Sequence, residues 1–348
     1  MKVCILGPVD TSSYYGGVAS FDEGLANGLA VLGADVLICT EQKDVPNADD
    51  RFSVKTVEGM LSFLKIVREM RPDMIIASLA YGKYLFTPWI PKRCLTVYYL
   101  HGFFNEAHYS RWKVLAGSMF QKLVCARSNV VVANSAFTAR INSSQWGIDV
   151  DSVISPGVSD AYIQPNAGLR SEGANKRVLY LGRLHEAKHV DVLLKAFAIV
   201  SRKIPEATLC IAGDGPHSSK LKSFAEELGC HVSFLGRVKG DAAQQLYVHS
   251  DVFVSLNDCE PFGITYCEAL LSGCRIACPA KGGQIEFLAG YGERTELCED
   301  VSPESVALAI VRLLGDERGL PPVANSSWFS YERVARDFLS LVDDRRLR

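Results

Sequence analysis

Two basic residues in the second half of the chain have the charge and spacing to bind a diphosphate. Arg183 follows the strand-like stretch Val178–Leu181, and Lys188 stands five residues later. Ligands of parallel sheets bind beyond the carboxyl ends of the strands, where the next helix also contributes its positive N-terminus. Two fixed cations there suit a diphosphate, although the pair taken alone is equally consistent with surface charge.

Two acidic residues follow a second apolar strand, Val252–Leu256. The helix after this strand is expected to begin near Ile264 or Thr265. Glu260 then lies in the loop, Glu268 lies one turn into the helix, and each carboxylate can accept hydrogen bonds from sugar hydroxyl groups. Backbone N–H groups at the helix start have no partner within the helix and point toward an anion. They belong to Phe262, Gly263, Ile264 and Thr265.

The stretch 185–189 spells the H-E-x-x-H pattern of zinc proteases. Such a site needs both histidines on one helical face and a third ligand further along the chain. His185 comes soon after a predicted strand and is expected in a loop, and no third ligand stands out. The other metal-binding pattern, at Asp149 and Asp151, lies beside Gly147 and is typical of a solvated turn. We therefore expect no metal site.

The segment 213–218 has the outline of a dinucleotide-binding fingerprint, since it follows a strand and opens a helix. Its last position is Ser218 rather than glycine or alanine. The next strand ends in Gly236-Arg237, without the acidic residue that would hold a ribose. A tight turn from strand to helix is the better interpretation.

Alternating strands and helices would position these residues. Short β-rich runs alternate with helical periodicity in both halves of the chain, which is typical of βαβ units on parallel sheets. In the first half, the run 2–6 is followed by a polar loop through Gly16-Gly17 and then by a helix. Periodicity fades over residues 159–176 and restarts at Val178. The pattern predicts an α/β protein with two Rossmann-like, doubly wound domains facing a central cleft.

Composition excludes several classes of protein. The 37 Lys and Arg residues nearly balance 39 Asp and Glu residues, and a net charge of −2 gives no footprint for nucleic acid. No apolar run reaches the ~18 residues of a membrane span. The 11 cysteines are scattered without a Cys-x-x-Cys pair, which is typical of reduced thiols. We expect a cytoplasmic protein.

Four features together resemble glycosyltransferase family 4. They are Gly16-Gly17, Gly182-Arg183 with Lys188, the turn 213–216, and Glu260 followed eight residues later by Glu268. The resemblance implies the GT-B architecture and a retaining transfer from a nucleotide-diphosphate sugar, UDP- or GDP-linked, with no metal and no other cofactor. The sequence departs from the family pattern at His189, where glycine is usual.

The loss of periodicity over residues 159–176, together with the resemblance, predicts the domain organisation. Residues 1–158 would bind the acceptor, 159–176 would be a linker, and 177–327 would bind the nucleotide sugar. The segment 328–348 looks like the family's C-terminal helix, which packs back on the first domain.

Roles carry over residue by residue. Arg183 and Lys188 would neutralise the diphosphate, Glu268 would bind the ribose, and Glu260 would bind the donor sugar's hydroxyl groups. Backbone donors to sugar and phosphate would come from Phe262, Gly263, Ile264 and Thr265. Gly16 and Gly17 would let the first domain approach the diphosphate, since a residue without Cβ does this at little cost. Arg237 and Val238 would lie near the base, and His101 near the anomeric carbon. Catalysis would rest on His101, Arg183, Lys188 and Glu260.

The segment 107–127 interleaves aromatic and basic residues, among them Trp112, Lys113 and Lys122. A basic amphipathic helix can rest on an anionic membrane, here the inner face, which would suit a lipid-linked acceptor. The alternative is an ordinary helix packed on the sheet.

The sequence thus predicts a hexosyltransferase acting on a glycan, lipid-linked or small-molecule acceptor. Three alternatives remain open: a nucleotide-sugar hydrolase or epimerase of the same architecture, an NAD-dependent oxidoreductase, and a non-catalytic module that binds sugar nucleotides.

Overall fold

The structure is a computed structural model that describes most of the chain. It covers residues 1–11, 14, 16–45, 50–106, 109–163, 176–316 and 318–346, with side chains described as far as residue 342. Most of the predicted linker 159–176, and the first two residues of the segment 107–127, lie outside the described residues.

Within this described part, 13 strands form two sheets whose pairings are parallel. The first sheet contains β1 (Lys2–Leu6), β2 (Asp35–Thr40), β3 (Ser53–Thr56), β4 (Met74–Ser78), β5 (Leu95–Leu100), β6 (Val130–Ala133) and β7 (Ser152–Val153). The second contains β8 (Arg177–Leu181), β9 (Thr208–Ala212), β10 (Val232–Gly236), β11 (Val252–Val254), β12 (Arg275–Pro279) and β13 (Thr295–Cys298).

Helices connect the strands. They are α1 (Gly17–Val31), α2 (Met60–Met70), α3 (Arg111–Arg127), α4 (Ala136–Trp146), α5 (Asp160–Ile163), α6 (Val190–Lys203), α7 (Ser218–Leu228), α8 (Asp241–Val248), α9 (Ile264–Leu271), α10 (Ile285–Leu288), α11 (Pro303–Gly315) and α12 (Tyr331–Arg346). Short 3₁₀ helices add Leu79–Phe86, Glu186–Lys188, Ala289–Arg294 and Ser326–Phe329.

Both sheets are doubly wound. The first has the strand order β3-β2-β1-β4-β5-β6-β7 and the second has β10-β9-β8-β11-β12-β13. In each sheet the order reverses beside the first strand, at β1 and at β8, which is the switch point where such folds bind ligands. The prediction of two Rossmann-like α/β domains is confirmed.

Contacts divide the chain into two units. One comprises Met1–Ser159 with Ser327–Arg348, and the other comprises Asp160–Ser326. Each unit holds one sheet and its own hydrophobic core.

The C-terminal helix α12 packs on α1 of the first unit. The Tyr331 hydroxyl donates a hydrogen bond to the Ser20 carbonyl oxygen at 3.1 Å. Only glycine fits at position 24 of α1, because a Cβ there would lie 2.2 Å from the Tyr331 ring. Phe338 of α12 and Phe21 of α1 are fully buried in the same core. The last helix is therefore an integral part of the first unit.

Helices α6 and α11 pack together in the second unit. Their apolar faces bury Leu193, Phe197 and Ile310 completely, together with Val178 and Tyr180 of β8. This packing fixes β8 and leaves the loops at its carboxyl end to carry polar side chains.

Candidate functional site

The charged residues of the second unit lie on two neighbouring loops. Strand β8 pairs with β9 on one side and β11 on the other, so the loops after β8 and β11 meet at the switch point of the sheet. The first loop carries Arg183 and Lys188, and the second carries Glu260.

Lys188 and Glu260 form an ion pair. The Lys188 Nζ atom lies 2.7 Å from Glu260 Oε2, and the two side chains are only 25% and 17% exposed. The Asn257 amide donates a second hydrogen bond to the same oxygen at 2.9 Å. Asn257 is itself held, because its side-chain oxygen accepts from the Cys259 backbone N–H at 3.2 Å. These contacts orient the Glu260 carboxylate at the carboxyl edge of the sheet.

Arg183 has a fixed backbone and an exposed side chain. The Tyr180 hydroxyl donates to the Arg183 carbonyl oxygen at 2.9 Å, and Leu184 N–H donates to the Asp214 carbonyl oxygen at 3.0 Å. Among the described residues, the Arg183 guanidinium has neither a hydrogen-bond nor an ion-pair partner. A cation in this position can meet an anion without breaking another contact.

The histidines of the H-E-x-x-H stretch are not on one helical face. His185 precedes the 3₁₀ helix Glu186–Lys188, and His189 follows it with φ 49°. His189 therefore takes up the left-handed conformation that glycine adopts most easily. Within the described ranges, no group of three or more His, Cys, Asp or Glu side chains is arranged to hold a metal ion.

Helix α9 begins beside Glu260. Its N-cap is Gly263, with φ 90°, and no side chain caps the first turn. A Cβ at position 263 would lie 2.4 Å from the Tyr266 ring, so both the conformation and the close packing require glycine. Phe262 is buried, whereas Ile264 and Thr265 are partly exposed. The backbone amides of this uncapped turn are available to an anion.

Glu268 lies one turn into α9 and is held by Tyr247 of α8. The Tyr247 hydroxyl donates to Glu268 Oε2 at 2.9 Å. Burial raises the pKa of the Glu268 carboxyl to about 7, against the opposing effect of this hydrogen bond. Near neutral pH the carboxyl is therefore partly protonated, and it gains acceptor capacity as the pH rises.

Arg237 and Val238 directly follow β10, the edge strand of the second sheet. Both residues are partly buried. Strand β10 is separated from β8 by β9, so these residues belong to the same carboxyl edge, two strands away from Arg183.

His101 follows β5 in the first unit and is enclosed by aromatic rings. Phe21 and Tyr99 meet its imidazole edge-on, with ring centroids 5.1 and 4.8 Å away. Its Nε2 atom is buried and has no hydrogen-bond partner in the described part of the chain. Burial lowers the pKa of His101 to about 3, so that the ring is neutral.

Gly16 and Gly17 stand at the start of α1 in the same unit. Gly16 is the N-cap residue, with φ 145°, and no side chain caps this helix. Gly17 is the first helical residue. The conformational requirement for glycine therefore lies at Gly16.

Two family models match the chain. Residues 15–162 match "Glycosyltransferase Family 4", and residues 166–325 match "Glycosyl transferases group 1". The chain belongs to the family 4 glycosyltransferases.

The sequence relatives of this family 4 chain include an uncharacterized glycosyltransferase and a mannosyltransferase. It is 32% identical over 174 residues to an uncharacterized glycosyltransferase of Methanocaldococcus jannaschii, covering 48% of this chain and 44% of the relative. It is 28% identical over 206 residues to a GDP-mannose-dependent alpha-(1-6)-phosphatidylinositol monomannoside mannosyltransferase of Mycobacterium tuberculosis, covering 54% and 53%. The chain thus spans about half the length of the curated relatives it matches.

Solved structures agree on the fold. HepE from Anabaena, in complex with UDP and glucose, superposes with a TM-score of 0.73 at 20% identity. The match covers 99% of this family 4 chain and 100% of that one. This likeness shows the GT-B fold expected from the sequence.

Helix α3 presents an apolar stripe on the surface of the family 4 chain. Its inner face buries Val114, Ser118, Gln121, Val124 and Cys125. On its outer face Trp112 is 81% exposed, and the stripe continues through Leu115, Met119 and Leu123. Exposed basic residues accompany it: Arg111, Lys113, Lys122 and Arg127. None of the helices in the described ranges is both long and apolar enough to cross a bilayer.

The sequence did not identify two residues that orient the carboxylates of the site. Asn257 orients Glu260, and Tyr247 orients Glu268. Neither belongs to a spacing pattern, because each acts through a partner that the fold brings close. The only signal was the position of Asn257, which directly follows the predicted strand Val252–Leu256.

Proposed function

We propose that this protein transfers a sugar from a nucleotide-diphosphate sugar to an acceptor hydroxyl, retaining the anomeric configuration and using no metal ion. The observation that carries the proposal is the convergence of Lys188 and Asn257 on Glu260, beside the uncapped first turn of α9. Cations, backbone donors and an oriented carboxylate are what a sugar diphosphate requires.

Arg183, Lys188 and the first amides of α9 would bind the diphosphate. As the bond between the anomeric carbon and the phosphate oxygen breaks, negative charge grows on the leaving diphosphate. Donors already fixed in place stabilise that charge without reorganising. Two fixed cations supply the role that a divalent metal serves in other transferases.

The two carboxylates would bind the sugar and the ribose of the donor. Glu260 would accept hydrogen bonds from sugar hydroxyl groups, and Glu268 from the ribose. Arg237 and Val238 would lie near the base. We also propose that His101 contacts the sugar and that Gly17 contacts the diphosphate, as the family resemblance implies.

Retention requires no nucleophile from the protein. The acceptor oxygen forms its bond to the anomeric carbon on the face that the diphosphate leaves. Its proton passes to an oxygen of the departing diphosphate, and the products are a glycoside and a nucleoside diphosphate. Arg183 and Lys188 hold that oxygen beside the reacting carbon.

UDP and GDP are the proposed nucleotides. HepE is described in complex with UDP, and the mycobacterial relative is named as GDP-mannose-dependent. That relative also acts on a phosphatidylinositol mannoside, which supports a lipid-linked or glycan acceptor. We further propose that the apolar stripe of α3 rests on the inner face of the cytoplasmic membrane, with its basic residues toward anionic lipids.

Proton NMR of the product tests the chemistry. The protein is incubated with UDP-glucose or GDP-mannose and an alkyl glycoside, with and without EDTA. The one-bond carbon–proton coupling constant at the anomeric position of the product should report the configuration of the donor, and EDTA should leave the rate unchanged. An inverted product, or loss of transfer in EDTA, would overturn the proposed mechanism.

A further inference from the structure

The short helix α5 begins the second unit and lies against the Glu268 region. It packs against α9, which carries Glu268. The Gln244 amide of α8 donates a hydrogen bond to the Ala161 carbonyl oxygen at 2.5 Å. The Tyr162 ring meets the Tyr247 ring edge-on, with centroids 6.0 Å apart. Tyr162 is thereby anchored next to the tyrosine that binds Glu268.

The Tyr162 hydroxyl has no hydrogen-bond partner among the residues that the structure describes. The residue is only partly exposed, and its hydroxyl makes no hydrogen bond with any described residue. Burial, together with the negative charges of Glu268 and Asp241, raises the pKa of Tyr162 well above its usual value. A partly desolvated hydroxyl without a partner costs free energy, which a ligand hydroxyl would recover. Packing against Tyr247 alone would need only a phenylalanine.

The polar groups at and beside Tyr162 indicate which part of a ligand would bind there. Glu268 offers a carboxylate with one oxygen already bonded to Tyr247, so further donors must come from a ligand. A phenol hydroxyl both donates and accepts, as a ribose hydroxyl does. The pair Glu268 and Tyr162 therefore matches the vicinal diol of a ribose better than it matches a phosphate, which Glu268 would repel.

We propose that Tyr162 is a further nucleotide-binding residue, whose hydroxyl bonds to a ribose hydroxyl beside Glu268. This inference rests on the proposed function, because it takes the ribose to lie at Glu268. Tyr162 stands three residues after Ser159, the last residue before the chain enters the second unit. The start of the second unit is thus part of the nucleotide site.

Calorimetric titration separates this role from simple packing. The wild type is titrated with UDP and GDP, and the tighter ligand is then compared with its 2′,3′-dideoxy counterpart. The same titrations are made with Tyr162→Phe, which keeps the ring, and with Glu268→Ala. Tyr81→Phe is the matched control, because Tyr81 lies in the first unit and bonds to Thr40.

Tyr162→Phe should weaken the binding of the ribose nucleotide roughly three- to tenfold, the value of one hydrogen bond. The dideoxy nucleotide should bind to wild type and to Tyr162→Phe equally well, and Tyr81→Phe should behave as wild type. An unchanged affinity of Tyr162→Phe for the ribose nucleotide, or an equal loss for the dideoxy one, would overturn the inference. Failure of the wild type to bind either UDP or GDP would instead overturn the proposed function.

Discussion

The Lys188 ammonium lies 2.7 Å from Glu260 Oε2, so an ion pair joins the loops after β8 and β11. Each residue belongs to a different part of the proposed donor site, Lys188 to the diphosphate and Glu260 to the sugar. Partly buried charges of this kind are stable only when paired, and each is oriented by the other. A bound diphosphate would compete with Glu260 for the Lys188 ammonium.

Replacing both Arg183 and Lys188 by alanine should abolish transfer. The leaving diphosphate then lacks both fixed cations, and loss of a single transition-state donor can already cost 10²–10³-fold in rate. Initial rates of nucleoside diphosphate release measure the effect. The far-ultraviolet circular dichroism spectrum is the control and should not change. Activity near that of the wild type would contradict the diphosphate site.

Replacing Asn257 by leucine should impair the sugar half of the donor site alone. Leucine has nearly the same size as asparagine but cannot donate to Glu260, whose Oε2 atom then loses the hydrogen bond from Asn257. We expect kcat/KM to fall roughly 10- to 150-fold, since hydrogen bonds to charged groups contribute ~1.5–3 kcal/mol. Affinity for the free nucleoside diphosphate should stay at its wild-type value. A parallel loss of nucleotide affinity would mean that Asn257 supports the whole loop instead.

Nucleotide binding should depend on pH through Glu268. Its pKa is raised from 4.5 to about 7, so the carboxyl gives up its proton as the pH rises through 7. Affinity for the nucleoside diphosphate should therefore increase between pH 6 and pH 8, because only the carboxylate accepts from both ribose hydroxyls. Calorimetry on wild type and Glu268→Gln at each pH measures this, and the variant should show a flatter profile.

The same pKa shift has a consequence for stability. Folding raises the pKa of this carboxyl above its unfolded-state value of 4.5. Its contribution to the free energy of unfolding is therefore complete at a pH below 4.5 and is lost as the pH rises through about 7. The free energy of unfolding of the wild type should therefore fall over this range relative to Glu268→Gln. A difference that is constant with pH would contradict the shifted pKa.

Helix α3 should bind anionic vesicles. Replacing Trp112 and Leu115 by serine removes two exposed apolar side chains, and each is worth ~1.5–3 kcal/mol when buried in an apolar phase. Sedimentation with phosphatidylcholine vesicles, with and without phosphatidylglycerol, measures the loss, which should exceed tenfold. Trp89→Ser is the matched control, because Trp89 is 61% exposed outside α3. Equal binding of both variants would contradict a membrane role for the stripe.

The sequence located most of the scaffold because buried strands and helical periodicity are strong signals. Helix α9 was expected to begin near Ile264 or Thr265 and begins at Ile264. No strand was predicted from the sequence at β3 or β13, because both are short and form no apolar run. Strand β3 alternates between exposed and half-buried positions, and β13 buries only its last residue, Cys298. A short strand of this type is specified by its neighbour in the sheet rather than by its own residues.

The site residues, like the strands and helices, were only partly predictable from the sequence. Charged residues at fixed offsets, such as Arg183 and Lys188, can be read from spacing, since they lie on one loop. Spacing does not predict the roles of Asn257, Tyr247 and Tyr162. Their partners are other side chains, and which side chains meet depends on how α5, α8 and α9 pack together.

Thermal stabilisation by nucleotide sugars tests the central claim most directly. UDP-, GDP- and ADP-sugars are added to the full chain with and without EDTA, and NAD is added separately. A ligand present at 100 times its Kd should stabilise the folded protein by roughly 2.7 kcal/mol, which is readily detected as a rise in Tm. We predict a rise with one family of nucleotide sugars that survives EDTA, and none with NAD. A rise with NAD alone, or one that EDTA abolishes, would contradict a metal-independent site for a nucleotide sugar.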